Sequence, residues 1–480
     1  MVAAVARGAV AVAPAVVRWE QVAQGGQQVG VAARARLDQG DARRRMRDED
    51  VEQAVAACRG LAQERLAVGR DVEHRLLAAA REAQDLGGEG VWHAPILARH
   101  GAARREDPRH SRCCRSVDVF GGRVVDVVVI GAGQAGLSSA YHLRRTGFLP
   151  ERDFVVLDHA PGPGGAWQFR WPSLTFGKVH GLHALPGMEP AVADGDVVLP
   201  ASQVVSGYFA DYEQRFGIPV HRPVDVVAVR EGAGGLLAVE TSAGDLAARA
   251  LINATGTWDR PFVPHYPGQE TFGGRQLHTA GYAGPEEFAG LRVVVVGGGA
   301  SGTQHLMEIA PLAAETTWVT RRPPVFREGP FGPDEGRAAV ELVEQRVRRG
   351  LPPGSVVSVT GLPVNDDVRR ALDSGVLDRE PMFDRVTPTG VAWDDGRSLD
   401  ADVILWATGF RPAVGHLAPL GLREPGGGIR VERTRAVRDE RVHLVGYGPS
   451  ASTIGANRAG REAVRGVRSL LAEPARDLVA

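Results

Sequence analysis

Cysteine and lysine are scarce in this sequence, and both shortages limit the chemistry it can carry out. The three cysteines are Cys58, Cys113 and Cys114, and no cysteine follows them. A redox-active Cys-x-x-Cys pair of the thioredoxin-reductase type is therefore excluded. Cysteines gathered near one end form no disulfide framework, which favours a reducing cytoplasm. Lys178 is the chain's only lysine, and arginine supplies the other positive side chains.

Long apolar runs and a strong net charge are also missing. No run of about eighteen uninterrupted apolar residues occurs, so a transmembrane helix is not expected. The formal net charge of −1 and the pI near 6.9 give no electrostatic reason to expect nucleic acid or an acidic membrane as partner. With 480 residues, 44% of them hydrophobic and 24% charged, the chain is expected to form two or three soluble domains.

The first 120 residues or so differ in composition from the rest. They are rich in Ala, Arg and Gln, lack alternating strand patterns and show loose helical spacing between Val51 and Leu86. The opening stretch, to Val17, contains arginine and no acidic residue, so a targeting peptide is one interpretation. The alternative is that translation starts near Val124 and that residues 1–123 are an extension that is not native. Under either interpretation we expect weak packing and no part in a nucleotide site.

At Val125 a dinucleotide-binding pattern begins. The β-branched run 125–130 predicts a buried parallel strand, and Gly131-Ala132-Gly133-Gln134-Ala135-Gly136 and a helix follow it directly. In such a turn the first glycine permits the bend, the second lets a pyrophosphate approach the backbone, and the third lets the helix pack closely. The next strand, 154–157, ends in Asp158, where a carboxylate can accept hydrogen bonds from ribose hydroxyls.

The same pattern returns in the second half of the chain. The strand 291–296 leads into Gly297-Gly298-Gly299-Ala300-Ser301-Gly302, and the following strand ends in Arg321 and Arg322 instead of an acid. Arginine there accommodates the 2′-phosphate of NADP, so NADPH is favoured over NADH. The two motifs predict an α/β fold with two doubly wound Rossmann-type domains, the first for FAD and the second for NADPH.

The order of the motifs also predicts the domain boundaries. An NADPH-binding domain, 285–400, is expected to be inserted into an FAD-binding domain formed by 124–284 and 401–480. Within the insert, residues 391–397 predict a hairpin with an Asp-Gly turn, and residues 323–354 predict a helical excursion.

Four further motifs give the chain a family resemblance. Gly164-Gly165-Ala166-Trp167 resembles the GGxW that follows the ribose acid, and residues 272–282 resemble the FxGxxxHxxx-aromatic sequence between the domains. Ala254-Thr255-Gly256 and Ala407-Thr408-Gly409 resemble paired ATG motifs. With these, the chain over about residues 124–470 resembles the two-dinucleotide-binding-domain flavoproteins and, within them, the class B flavoprotein monooxygenases, particularly a bacterial branch of uncertain substrate.

The resemblance implies a reaction but not its subtype. It implies that NADPH reduces FAD, that a C4a-(hydro)peroxyflavin forms, and that a small organic amine, sulfide or ketone is oxygenated. Tyr282 stands where the Baeyer–Villiger pattern has Trp or Phe, and no aspartate follows GGxW in 168–174. Gly177 occupies the position of the asparagine in the mammalian-type N- and S-oxidising enzymes. N-, S- and Baeyer–Villiger-type oxygenation therefore all stay open.

The candidate site residues come from these motifs. His278, Trp167 and Lys178 are predicted to act near the reacting atoms, with Trp171 and His180 as further wall residues; a core or surface role is the alternative for the four wall residues. The helix that follows Ser452 and Thr453 is expected to direct its N-terminus at the flavin, although simple N-capping would also explain these two residues. No metal is predicted. The predicted cofactor-binding residues are Gly131, Gly133, Gly136, Asp158, Gly165, Trp167, Gly297, Gly299, Gly302, Arg321, Arg322, Thr408, Gly409, Ser452 and Thr453.

Two other functions use the same nucleotide-binding folds. One is a reductase that passes electrons from NADPH to a protein partner, and the other is a non-catalytic flavoprotein sensor. The GGxW and His278 motifs favour the monooxygenase. The expected partners are a small organic substrate and dioxygen.

Overall fold

A computed structural model describes residues 5–12, 15–24, 28–37, 92–97, 119–179, 182–191, 194–329, 333–354 and 360–472. The chain divides into two compact units, residues 1–113 and 114–480.

The first unit contains an antiparallel sheet of four strands in the order β1-β2-β3-β4. The strands are β1 (Val5–Val12), β2 (Ala15–Gln24), β3 (Gln28–Leu37) and β4 (Trp92–Leu97). These strands were not predicted, because the region lacks alternating strand patterns in its sequence. Its many alanines give little contrast between the two faces of a strand, so pairing does not show as an alternating pattern. The helical spacing between Val51 and Leu86 lies outside the described residues.

The second unit is a mixed α/β structure. Its described helices are α1 (Gln134–Arg145), α2 (Ala201–Arg215), α3 (Ala300–Ile309), α4 (Pro333–Arg348), α5 (Asp366–Asp373) and α6 (Thr453–Ala472). Its described strands are β5 (Val124–Ile130), β6 (Phe154–Leu157), β7 (Val226–Glu231), β8 (Leu237–Thr241), β9 (Leu246–Asn253), β10 (Arg275–His278), β11 (Arg292–Val296), β12 (Glu315–Thr320), β13 (Phe326–Arg327), β14 (Leu362–Pro363), β15 (Arg379–Pro381), β16 (Arg385–Thr387), β17 (Gly390–Ala392), β18 (Ser398–Asp400), β19 (Val403–Trp406), β20 (Val431–Glu432), β21 (Arg435–Ala436) and β22 (Val442–Leu444).

The first large sheet is built around β5. Its order is β20-β21-β22-β9-β5-β6, with β8 joined to β9 and β7 to β8, and β22, β9, β5 and β6 run parallel. Val127 and Val129 pack with α1 and α6 in one apolar cluster, whereas Val128 packs in a second cluster on the opposite face. Because side chains alternate along a strand, apolar cover on both faces requires the continuous β-branched run seen in the sequence.

The second large sheet is parallel throughout, in the order β10-β19-β11-β12-β15. It is formed between β9 and β20 in sequence, so the second Rossmann-type fold is inserted into the first, as predicted. The predicted limits of the insert, 285–400, are too narrow, because β10 and β19 belong to this sheet. An apolar strand at 403–406 fits either sheet by sequence, and only its register with β10 and β11 assigns it.

The predicted start of the first domain at residue 124 also needs correction. Phe120 is 5% exposed and its ring meets that of His221 at a centroid distance of 5.0 Å. The Val119 N–H donates to the Ala243 carbonyl at 2.8 Å. Residues 119–123 therefore pack against the first sheet. This packing was not predicted, because a single aromatic residue before a strand produces no periodic pattern.

Two local predictions inside the insert are confirmed. Strands β17 and β18 pair antiparallel around the Asp395-Gly396 turn, closed by a 2.9 Å hydrogen bond from Trp393 N–H to the Arg397 carbonyl. Helix α4 is the helical excursion expected within 323–354. Among the helices that the structure describes, none combines the length and apolar composition needed to cross a membrane.

Candidate active site

The first glycine turn joins β5 to α1. Gly131 has φ +97°, and a Cβ there would lie 2.5 Å from the Ala254 carbonyl oxygen. A Cβ at Gly136 would lie 1.8 Å from the Gly131 oxygen, so the protein's own packing excludes a side chain at both positions. A Cβ at Gly133 would meet nothing closer than the Gly165 Cα, at 3.8 Å. The middle glycine is thus not required by contacts within the protein.

The second glycine turn, between β11 and α3, repeats this construction. A Cβ at Gly297 would lie 2.2 Å from the Ala407 carbonyl oxygen, and one at Gly302 would lie 2.5 Å from the Gly297 oxygen. At Gly299 a Cβ would meet nothing within 4 Å. The paired ATG motifs have the same position in both sheets: each supplies the alanine carbonyl that lies against the first glycine of its turn.

The threonines of the ATG motifs fix the loops that follow. Thr255 Oγ1 donates to the Ala413 carbonyl at 2.7 Å, and Thr408 Oγ1 donates to the Phe262 carbonyl. Thr408 and Gly409 lie at the end of β19, in the second sheet, and the matching residues of the first sheet are Thr255 and Gly256. Each threonine therefore orders the chain beside one glycine turn.

The first turn opens onto a cavity of about 620 Å³. Its wall includes the turn itself, the end of β6, the GGxW segment, the chain after β9 and the start of α6, together with residues from 224–227 and 413–416. Among the lining residues are Gly131, Gly133, Asp158, His159, Gly165, Trp167, Phe169, Thr255, Gly256, Trp258, Asp259, Arg260, Ser452 and Thr453. Every residue predicted for the first nucleotide site lines this cavity except Gly136, which is held beneath the turn.

Asp158, at the end of β6, is ionised and firmly held. It is 4% exposed; its Oδ1 accepts from Ala160 N–H at 3.1 Å, and its Oδ2 lies 3.4 Å from Arg222 Nε. Burial alone would raise the pKa of this carboxyl. Hydrogen bonds from His159 and Ala160 N–H, together with the charge of Arg222, outweigh burial and hold the pKa below its usual value. An oriented carboxylate at this place can accept hydrogen bonds from a ribose.

Helix α6 begins at the opposite wall of the cavity. Ser452 Oγ accepts from Gly455 N–H at 3.1 Å, so Ser452 caps the helix as the simpler interpretation required. Ser452 and Thr453 also line the cavity, and the helix N-terminus carries partial positive charge. Ser452 therefore caps the helix and also lies at the cavity wall.

Arg321 and Arg322 follow β12, beside the second glycine turn. A Cβ at Gly298 would lie 3.6 Å from Thr320 Cγ2 and 3.9 Å from the Arg322 carbonyl oxygen, which sets the two segments side by side. Both arginines are exposed. Within the described part of the chain, neither guanidinium donates a hydrogen bond or joins an ion pair. Two unpaired cations beside a phosphate-type turn suit a phosphorylated ribose.

His278 is the last residue of β10 and contacts the chain that follows β19, the neighbouring strand of the second sheet. Its Nε2 donates to the Gly409 carbonyl at 2.9 Å, and its Nδ1 accepts from Ala280 N–H at 3.1 Å. Burial lowers the pKa of His278, so the ring is neutral near pH 7 with the proton on Nε2. Since both nitrogens bind backbone, the side chain positions the second ATG turn and has no nitrogen left for proton transfer.

The other predicted wall residues are not brought together. Trp167 lines the 620 Å³ cavity, but Lys178 lines a different cavity of about 960 Å³, between the segment 174–178 and helices α3 and α5. Trp171 is 3% exposed and packs in the apolar core against Tyr282, as its core alternative required. His180 lies outside the described residues.

Several cavity residues were not predicted. His159 lies between two carboxylates, one after β6 and one after β9: its Nδ1 is 3.5 Å from Asp158 Oδ1 and its Nε2 is 3.0 Å from Asp259 Oδ1. These contacts raise the pKa of His159 to about 10. Trp258 and Arg260 line the same cavity. The ATG motif before them marked the end of a strand, and that was the only signal in the sequence that could have located them.

Known proteins share this organisation. A family model described as pyridine nucleotide-disulphide oxidoreductase matches residues 128–331, a segment without cysteine. A flavin-containing monooxygenase from Stenotrophomonas maltophilia, known from its solved structure, is 40% identical and aligns with 73% of this chain and 100% of its own, with a TM-score of 0.62. An uncharacterised CzcO-like oxidoreductase from Geobacillus kaustophilus is 25% identical over 288 residues, which is 60% of this chain and 81% of that protein.

A Baeyer-Villiger monooxygenase from Streptomyces coelicolor is 32% identical over 207 residues, 42% of this chain and 38% of its own length. The Stenotrophomonas enzyme, by contrast, is matched along its whole length. The chain therefore belongs to the class B flavin-dependent monooxygenase family that its motifs resemble.

Proposed function

We propose that this chain uses FAD and NADPH to transfer one atom of dioxygen to a small organic amine, sulfide or ketone. The observation that carries the proposal is the pair of equivalent glycine turns, one opening onto a cavity with a buried carboxylate and the other followed by two unpaired arginines in the described part of the chain. When bound, FAD would supply the redox chemistry, in which NADPH, a proton and dioxygen are converted with the substrate into oxygenated product, NADP⁺ and water.

The residues of the first site suit a dinucleotide. Gly133 leaves the backbone of the turn open to a pyrophosphate, and the N-terminus of α1 directs its N–H groups there. Asp158 accepts from ribose hydroxyls, and Trp167 forms an apolar wall that limits water. The start of α6, at Ser452, provides partial positive charge for the reduced form of the flavin.

The residues of the second site suit NADPH. Gly299 leaves the second turn open, as Gly133 does in the first. Arg321 and Arg322 bind the 2′-phosphate through charge-assisted hydrogen bonds. His278 holds Gly409, after β19 of the second sheet, and thereby orders the end of the second ATG motif. In this proposal its role is to keep the nicotinamide close to the flavin and water out.

Isotope incorporation tests the proposal directly. The holoenzyme is given NADPH and ¹⁸O₂ with a panel of amines, sulfides and ketones, and the products are examined by mass spectrometry. We expect one ¹⁸O atom per product molecule and one NADPH consumed for each. Rapid NADPH oxidation that requires an added ferredoxin-like protein, with no labelled product, would favour the reductase; negligible NADPH oxidation under all conditions would favour the sensor.

A further inference from the structure

Arg170 has an unusual environment for a cation. It follows the short helical segment Gly165–Phe169, and its guanidinium carbon lies 4.7 Å from the centre of the Trp258 ring and 5.7 Å from that of Trp167. Contact with two indole rings removes much of the guanidinium from water. Burial lowers the pKa of Arg170 to about 10, which leaves the group charged at neutral pH.

No acidic group of the described chain neutralises this charge. Arg170 joins no ion pair and donates no hydrogen bond among the described residues, and its Nε is buried without an acceptor. Arg222 provides the contrast: it is largely buried, yet it binds Glu213 through two hydrogen bonds of 2.7 and 2.8 Å and meets Asp158 as well. Arg170 as a whole is half-buried, but its Nε is cut off from water, and a buried polar group without a partner is unfavourable in a folded protein. Among the described residues the guanidinium therefore meets no acceptor, and a bound anion would supply one.

His305, in helix α3, also has polar atoms without partners among the described residues. Both of its ring nitrogens are buried and make no hydrogen bond there. Burial, with a contribution from the Arg170 charge, lowers the pKa of His305 to about 3, so this ring is neutral and lies within electrostatic reach of Arg170. Arg170, from the GGxW segment, and His305, from helix α3, mark this region.

This region adjoins the predicted flavin cavity. Trp167 and Trp258, the two rings that Arg170 contacts, both line that cavity. Phe169 lines it too and is stacked on Trp258, with 6.1 Å between ring centres and 9° between planes. A cation at the edge of a flat aromatic wall can bind a planar anion that has an apolar body, because the fork of a guanidinium matches the two oxygens of a carboxylate.

We propose that Arg170 binds the carboxylate of the substrate, so that the molecule oxygenated by this enzyme is an organic acid whose apolar part lies against Trp258 and Phe169. This inference rests on the proposed function and narrows its substrate class. Within the amines, sulfides and ketones, those that carry a carboxylate are preferred.

Binding to the oxidised holoenzyme tests this without turnover. Benzoate and benzamide are titrated against the protein, and binding is followed by the flavin absorbance and by tryptophan fluorescence. We expect benzoate to bind at least tenfold more tightly than benzamide. Arg170→Met should lose about tenfold or more of the benzoate affinity, because a charge-assisted contact disappears, and leave benzamide unchanged. Arg170→Lys, which keeps the charge but not the fork, should retain part of the preference.

Arg411→Met is the matched control, since Arg411 also lies over an aromatic ring, 4.0 Å from the centre of Phe262. It should bind benzoate as the parent does. Two other anions could occupy Arg170, and the same variants separate them. Weaker NADP⁺ binding with unchanged benzoate affinity would assign Arg170 to the nicotinamide cofactor, and loss of FAD on purification would assign it to the flavin. Either result, or equal affinity of the parent for benzoate and benzamide, overturns the inference. Failure of the proposed function would show independently, as absence of ¹⁸O in every product.

Discussion

Substituting the middle glycine of each turn should separate the two nucleotide sites. A Cβ at Gly133 would have no protein neighbour nearer than 3.8 Å, and one at Gly299 would have none within 4 Å. Gly133 has φ −81° and ψ −166°, and Gly299 has φ −102° and ψ 174°, which alanine adopts without strain. Neither substitution should therefore disturb the fold by itself.

The added methyl group instead occupies the space in which a pyrophosphate would approach the backbone. Losing one charge-assisted hydrogen bond to phosphate costs about 1.5–3 kcal/mol, or about 10- to 150-fold in Kd. We expect Gly133→Ala to weaken FAD binding by at least this factor and Gly133→Val to abolish it. Gly299→Ala should purify with its full FAD content and lose a similar factor in affinity for NADPH.

Gly136→Ala is the reference for damage to the fold, because its Cβ would lie 1.8 Å from the Gly131 oxygen. The assay has two parts: the melting temperature of each protein after removal of FAD, and FAD titration followed by flavin fluorescence. Only Gly136→Ala should melt at a lower temperature than the parent. If Gly133→Ala purified with stoichiometric FAD, or if its FAD-free form melted as low as that of Gly136→Ala, the assignment of the first turn would be refuted.

Four further predictions follow from the site. Asp158→Ala should weaken FAD binding without unfolding the protein. Because the pKa of this carboxyl is lowered, its stabilising contribution is complete above about pH 4 and is lost as the pH falls through the folded-state pKa. The melting temperature of the variant should therefore fall less steeply with decreasing pH in the acid range than that of the parent. Replacing Arg321 and Arg322 by Ser should raise the KM for NADPH about ten- to a hundredfold and leave that for NADH unchanged, and equal losses would assign the arginines to folding. His278→Ala should bind FAD normally but release more hydrogen peroxide per NADPH than the parent, a result that unchanged coupling would contradict. Removing residues 1–113, a separate compact unit, should leave FAD content unchanged, as flavin absorbance would show.

The sequence by itself determined the elements whose signals are local. A β-branched run, a glycine turn and a helix with close packing are neighbours along the chain, so the two dinucleotide folds and their order were predictable from β5 and β11 onwards. Asp158 and the pair Arg321 and Arg322 were placed by the same short spacing from their turns. The close contact between the first and third glycines of each turn acts between residues close in sequence, so such motifs can be recognised from the sequence.

Only the tertiary structure decided what depends on partners distant in sequence. The assignment of β19 to the second sheet rests on its register with β10 and β11, and the packing of Phe120 rests on His221, a hundred residues away. Trp171 and Lys178 were equally plausible wall residues by sequence, yet one is in the core and the other lines a different cavity. That Arg170 has no acidic partner among the described residues is likewise invisible in the sequence. Whether a cation has a partner depends on which acidic side chains the fold brings near it, and no short motif records that.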